Sequence, residues 1–185
     1  MQLLRPLPVR RFLIAVLSAV LPQLPGAALA QATANVDELA DLVLGIVQYT
    51  RWPGAPEPIT LCLGDNDAGA AALAAAFAAM TPAPPLKVAM RRMEPALAAE
   101  LFGCHAVLFP DMPTATQQGL LLKLNKRPIL TLGRGENFCS YSGQICLIES
   151  AKGLRFRANL DAIAFSGLRL NPRMLQLGVR DGATR

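Results

Sequence analysis

The sequence predicts a single α/β domain in which helices flank both faces of a largely parallel sheet and a carboxyl-terminal hairpin joins that sheet. Three observations support this. Short apolar runs alternate with segments of helical periodicity. Turn residues separate these segments, with no linker or internal repeat. The 185 residues are 52% hydrophobic and 17% charged, a composition that suits one buried core and excludes a disordered or fibrous protein.

The amino-terminal residues predict a secretory signal peptide. An apolar run, Phe12–Leu21, precedes an A-x-A cleavage pattern at Ala28–Ala30. The basic residues before the run are Arg5, Arg10 and Arg11. We expect residues 1–30 to be cleaved and residues 31–185 to form the mature domain. The apolar run is too short to span a bilayer, and no cysteine near the cleavage pattern could carry a lipid, so a periplasmic protein is expected.

The first half of the mature chain predicts helix, then strand and helix in alternation. Asn35–Glu38 is typical of a capping box, and apolar residues follow it at helical spacing until Trp52-Pro53. The predicted strands are Ile59–Leu63, Leu86–Met90, Ala106–Phe109 and Pro128–Leu132. The predicted helices between them are Ala68–Met80, Pro95–Phe102 and Thr114–Leu124. This alternation indicates a parallel sheet.

The pattern changes after the fourth strand. A glycine-rich segment, Gly133–Gly143, precedes two strand-like runs that predict a hairpin around a turn at residues 150–153. The two runs are Ile145–Glu149 and Leu154–Ala158. Asn159 then predicts the cap of a helix that ends at Gly167, and Pro172 predicts the start of a last helix.

Four cysteines lie in the mature part: Cys62, Cys104, Cys139 and Cys146. An even number in an oxidising compartment indicates two disulfides. Three pairings are possible, and the short spacing favours Cys139 with Cys146, which leaves Cys62 with Cys104. No C-x-x-C motif supports a thioredoxin-like enzyme, and a zinc site would need reduced cysteines. Structural bridges are expected, with a redox-sensing bridge as the alternative.

The sequence carries no recognisable catalytic set. Gly133–Phe138 begins like a dinucleotide fingerprint, but Phe138 replaces its third glycine. Ser142 lacks the first glycine of a nucleophile elbow, and the single histidine, His105, has no sequence partner for a triad or a metal site. We therefore expect no enzymatic activity, no cofactor and no metal ion.

Polar and basic residues suggest binding instead. Asp65 and Asp67 follow the first strand, where they could cap the next helix or contribute to a ligand site at the carboxyl edge of the sheet. This turn is the basis of an alternative function, a periplasmic small-solute-binding protein that serves a transporter or sensor. Four arginines lie near the carboxyl end, but the expected periplasmic location separates the protein from nucleic acid, so no nucleic-acid partner is expected. They are Arg155, Arg157, Arg169 and Arg173.

The order of several motifs resembles that of the YfiR family over nearly all of residues 36–179. In the first half the similar segments are Gln48–Pro53 (QYTRWP), Ile59–Asp65 (ITLCLGD), Gly103–Phe109 (GCHAVLF) and Pro128–Leu132 (PILTL). In the second half they are Phe138–Cys139, Gly143–Cys146 (GQIC), Leu154–Leu160 (LRFRANL) and Gly167–Leu170 (GLRL).

The resemblance implies a periplasmic regulator that inhibits an inner-membrane, YfiN-like diguanylate cyclase and so lowers cyclic-di-GMP and biofilm formation. It also implies release by a YfiB-like, OmpA-like outer-membrane lipoprotein, a homodimer, and disulfides Cys62–Cys104 and Cys139–Cys146. The residues that the resemblance assigns to a partner or small-ligand surface are Arg51, Ile145, Arg157, Ile163 and Arg169. Arg157 departs from the family, which often has an acidic residue there.

Overall fold

The computed structural model describes five stretches of the chain, residues 26–64, 68–80, 87–94, 98–151 and 153–179. Most of the predicted signal peptide, residues 1–25, lies outside these stretches. Asp65 and Asp67, the polar residues predicted to follow the first strand, also lie outside them.

Within the described stretches, six strands form one sheet, in which the second to sixth strands of the chain run parallel and the seventh pairs antiparallel with the sixth. The order is β3-β2-β4-β5-β6-β7, with β2 Ile59–Gly64, β3 Val88–Met93, β4 Ala106–Leu108, β5 Leu130–Arg134, β6 Ile145–Ser150 and β7 Gly153–Ala158. A separate two-stranded sheet pairs β1 Thr50–Arg51 with β8 Arg169–Leu170. The predicted α/β class with a mostly parallel sheet is confirmed.

Helices cover both faces of the large sheet, because side chains along each strand alternate between two hydrophobic clusters. The first cluster joins the sheet to α1 Gly26–Tyr49, α2 Ala68–Ala79, α6 Leu160–Ser166 and the 3₁₀ helix Pro172–Val179. The second joins it to α3 Ala98–Leu101, α4 Thr114–Leu124 and α5 Glu136–Ser140. In β2, for example, Leu61 and Leu63 face the first cluster and Cys62 the second.

Several element boundaries differ from the sequence prediction. α1 begins at Gly26 and runs through the predicted capping box, because alanine-rich residues before Asn35 favour helix. β5 begins at Leu130 and not at Pro128, since the Ile129 N–H donates to the nearby Arg127 carbonyl at 2.8 Å and not to a neighbouring strand. α5 and the β1–β8 pair were not predicted, because elements of two to five residues are too short to show a period.

The glycines around α5 accommodate Phe138, whose side chain is fully buried. A Cβ atom on Gly133 would collide with one edge of the Phe138 ring, and a Cβ on Gly143 would collide with the other. The ring also packs against Phe109, with 5.5 Å between ring centroids. Gly133, the first glycine of the segment that begins like a dinucleotide fingerprint, therefore serves core packing, as does Gly143.

We predict that Gly143→Ala destabilises the fold by roughly 1–3 kcal/mol, because overpacking a well-filled core forces rearrangement. The new Cβ would lie 2.6 Å from the Phe138 carbonyl oxygen. A backbone atom cannot move away as easily as the end of a flexible side chain. Gly119→Ala, in α4 where a Cβ meets no neighbour, is the control. It should be neutral or stabilise by up to about 1 kcal/mol. Denaturant unfolding measures both, and equal effects would contradict the packing role.

A buried polar pair joins the starts of β5 and β6. The Thr131 backbone N–H donates to Gln144 Oε1, and the Gln144 backbone N–H donates to Thr131 Oγ1, both at 3.1 Å. Each residue is at most 5% exposed. Because a buried donor without a partner is costly, this reciprocal pair favours one alignment of the two strands.

We predict that Gln144→Leu lowers the free energy of unfolding by about 1–3 kcal/mol, since it leaves the buried Thr131 N–H without its acceptor. Gln176→Leu makes the same change at an exposed position and should cost much less. Urea unfolding of the two variants tests this, and a wild-type midpoint for Gln144→Leu would refute it.

Candidate functional site

Two arginines that lie 118 positions apart in sequence meet on the small β1–β8 sheet. Arg51 is the direct cross-strand partner of Arg169, and both side chains are exposed. Directly opposite residues of an antiparallel pair project to the same side, with Cβ atoms roughly 5 Å apart. Like charges at this spacing repel, and a carboxylate or phosphate between them would relieve that repulsion. We call Arg51 and Arg169 the arginine pair.

The end of α1 holds one member of the arginine pair in place. Arg51 Nη1 donates to the carbonyl oxygens of Gln48, at 2.7 Å, and Thr50, at 3.0 Å. The Gln48 carbonyl belongs to the last turn of α1, where carbonyls lack helical partners and a cation is favourable. A cavity of about 360 Å³ lies beside Arg51 and is also lined by Trp52 and Glu57. The site can therefore present one fixed guanidinium to an anionic group.

His105 connects the segment that carries Arg51 to the main sheet. Its carbonyl oxygen accepts hydrogen bonds from Trp52 Nε1 and from the Leu130 backbone N–H, both at 2.9 Å. Its Nδ1 accepts from the Thr60 backbone N–H at 2.8 Å. The histidine is thus structural, and its imidazole acts as an acceptor in its neutral form. Burial lowers the pKa of His105, which agrees with that role.

We predict an acid-dependent loss of stability at His105. Its pKa is lower in the folded than in the unfolded protein, so its contribution is complete above about pH 6.5 and is lost as the pH falls through the folded pKa. His105→Asn keeps an acceptor oxygen near the Thr60 N–H and removes the titration. Unfolding measured at about pH 7.5 and about pH 5 should show a smaller stability change for the variant. Equal pH dependence would count against this assignment.

The other residues of the predicted surface are not gathered at the arginine pair. Arg157 lies on β7, with its Nη1 at 3.6 Å from the Glu136 carboxylate. Ile145 is 0% exposed and Ile163 is 5% exposed, and both belong to the first hydrophobic cluster. Their side chains therefore support the fold and cannot directly contact a partner in this conformation. The arginines are the exposed members of the set, and their binding role stays a prediction.

Sequence reasoning did not identify the exposed apolar side chains near the carboxyl end. Three of the five large exposed hydrophobic residues in the described stretches lie there, namely Leu160, Phe165 and Leu175. Phe165 is 68% exposed although it belongs to a helix whose Ile163 is buried. The sequence carried a signal of this exposure only for Phe165, which lies two positions from Ile163 and therefore off the buried face of the helix, whereas Leu160 lies three positions from Ile163, a spacing that predicts the buried face.

The two disulfides have the pairing that the short spacing favours and the resemblance implies. Cys62 bonds to Cys104 with 5.8 Å between Cα atoms, and Cys139 bonds to Cys146 with 5.7 Å. All four cysteines belong to the second hydrophobic cluster. Arg91 lies at the first bridge, its Nη2 being 3.3 Å from Cys104 Sγ. Such buried bridges are typical of proteins from an oxidising compartment.

No group of three or more metal-ligating side chains occurs within the stretches that the structure describes. Among the helices of those stretches, none is both long and apolar enough to cross a membrane.

Comparisons with known proteins agree on the fold. The sequence profile of a family described as YfiR/HmsC-like matches residues 38–179. The structure is similar to the crystal structure of a conserved domain protein from Vibrio cholerae O1 biovar eltor str. n16961, with a TM-score of 0.53 and 11% identity. The match covers 78% of this chain and 59% of that chain, so this chain spans well under two thirds of its length. At that identity the likeness concerns the fold alone.

Proposed function

The chain belongs to the YfiR/HmsC-like family, and we propose that it is a periplasmic regulatory binding protein that inhibits an inner-membrane, YfiN-like diguanylate cyclase. By this proposal it lowers cyclic-di-GMP and biofilm formation without catalysing a reaction. The family match over residues 38–179 is the observation that carries the proposal. The two disulfides support a periplasmic location, because bridges of this kind persist where thiols are oxidised.

Surface chemistry near the carboxyl end supports binding to another protein. Exposed Phe165 and Leu160 lie on α6, and Arg169 follows on β8. Aromatic side chains and arginine are the residue types that contribute most at protein interfaces. We propose that this surface, together with Arg51, contacts the periplasmic region of the cyclase, and that acidic groups of the partner face the arginine pair.

Two further partners belong to the same proposal. A YfiB-like outer-membrane lipoprotein would relieve inhibition by competing for this protein, and the chain would form a homodimer. Charge complementarity between such partners mainly sets the association rate and the choice of partner. Arg157, which lies outside this surface but which the resemblance also assigns to a partner, has a positive charge where the family is often acidic, so a partner that contacts it should differ at the facing position.

The first test is the cellular concentration of cyclic-di-GMP, measured by mass spectrometry in a deletion strain. Deletion should raise the concentration, and the exported full chain should restore it. A version without residues 1–30 should not restore it, because it would stay on the wrong side of the inner membrane. No change on deletion, in cells shown to express the protein, would contradict cyclase control.

We predict that Phe165→Ser and Arg169→Glu each weaken this restoration, since one removes an exposed apolar contact and the other reverses a charge. The matched controls are Leu122→Ser, on α4 across the sheet, and Arg92→Glu, on the edge strand β3. Both control side chains are exposed. The control variants should restore the cyclic-di-GMP concentration as well as the wild-type protein does. Immunoblots of periplasmic fractions would verify equal amounts. Equal loss in the test and control variants would refute the assigned surface.

A further inference from the structure

A cleft at the carboxyl edge of the parallel strands lies apart from the arginine pair. It has a volume of about 400 Å³ and is bordered by the ends of β4, β5 and β6, by the start of β7 and by α1 and α2. Ligands of open α/β sheets usually bind outside this edge, and the volume is within the range of small-molecule sites. None of its lining residues belongs to the surface proposed above.

The inner part of the cleft is apolar. Its lining side chains of lowest exposure are Leu39, Leu73, Leu108 and Phe109. They come from two helices and from the end of β4, so the wall is built from regular elements that the core fixes. An apolar body placed against them would leave water, which is favourable in proportion to the area buried.

Among the lining residues that the structure describes, the charges sum to a negative value. Arg134 Nη1 lies 3.0 Å from Glu149 Oε1, so these two charges largely compensate each other. Glu38 also lines the cleft and adds a second carboxylate. The described lining therefore has an excess of one negative charge, although the chain as a whole is basic with a net charge of +5.

Glu38 makes a structural hydrogen bond that occupies only one of the acceptor positions of its carboxylate. Its Oε1 accepts a hydrogen bond from the Leu154 backbone N–H at 2.8 Å and thereby ties α1 to the start of β7. Gly153 permits this contact, because a Cβ there would collide with the carboxylate. A carboxylate has about four acceptor positions, so the group can hold this N–H and also receive a cationic donor.

From these observations we propose that the cleft binds a small organic monocation with an apolar body, such as an alkyl or arylalkyl amine. The apolar body would contact the Leu73 and Phe109 wall, and the ammonium would contact Glu38. Arg134 would disfavour ligands that carry a second positive charge near the cleft entrance. This assignment does not depend on regulation of a cyclase.

Binding of isoamylamine and phenethylamine to the purified mature protein tests the proposal by heteronuclear NMR. Both amines should shift amide signals of the cleft, among them Leu154 and Arg134, with submillimolar affinity that weakens as salt is added. Isovalerate has the carbon skeleton of isoamylamine with an anionic head, and should bind at least tenfold more weakly. Equal binding of isovalerate, or shifts confined to other surfaces, would overturn the proposal.

Two substitutions separate ligand binding from structural support. Glu38→Gln keeps an oxygen that can accept from the Leu154 N–H and removes the charge, so the fold should persist while amine affinity falls at least fivefold. Arg134→Gln should raise amine affinity, a direction that mere damage to the cleft would not produce. Glu57→Gln, which removes a carboxylate at the opposite edge of the sheet, is the control, and it should bind the amines with wild-type affinity. Unchanged affinity in Glu38→Gln would refute the assigned role of this carboxylate, whatever the outcome of the cyclic-di-GMP experiment.

Discussion

The hydrogen bonds at His105 are the constraint on which the position of the candidate site depends. This residue connects three segments of the chain. Its carbonyl oxygen accepts hydrogen bonds from Trp52 Nε1 and the Leu130 N–H, and its imidazole accepts one from the Thr60 N–H. Trp52 is the neighbour of Arg51, so the small β1–β8 sheet is held at the amino edge of the large one. The second attachment is the end of α1, whose final carbonyls bind Arg51 and the Asn171 N–H. A surface arginine thereby acquires a fixed position.

The alternation of side chains along the strands explains why both disulfides lie in the second hydrophobic cluster. Cys62 and Cys146 each lie between residues that face the first cluster, so both point to the other face of the sheet. There α3 and α5 supply Cys104 and Cys139 at or just beyond their ends. Phe138 fills the space between Gly133 and Gly143 on this face. The glycine-rich segment thus packs around an aromatic side chain and holds one end of a disulfide.

The molecule has two separate surfaces suited to two kinds of contact. The arginine pair and the exposed apolar residues of α6 are suited to a protein partner with acidic groups. The carboxyl-edge cleft combines an apolar wall with an excess carboxylate and is suited to a small cation. Glu38 connects helix α1 to the hairpin at this cleft. Because α1 also ends beside Arg51, the same helix contributes to both surfaces.

The sequence by itself determined the α/β class and the order of the main strands and helices, because these depend on local periodicity and capping, and its short spacing favoured one of three possible cysteine pairings. α4, for instance, spans the predicted residues Thr114–Leu124. Tertiary structure decided which arginines meet, since Arg51 and Arg169 approach only through a two-residue strand pair with no periodic signal. It also decided that Ile145 and Ile163 are buried, and that Glu38 reaches Leu154 across 116 positions. Contacts between distant segments depend on how layers pack, and no local pattern in the chain encodes that.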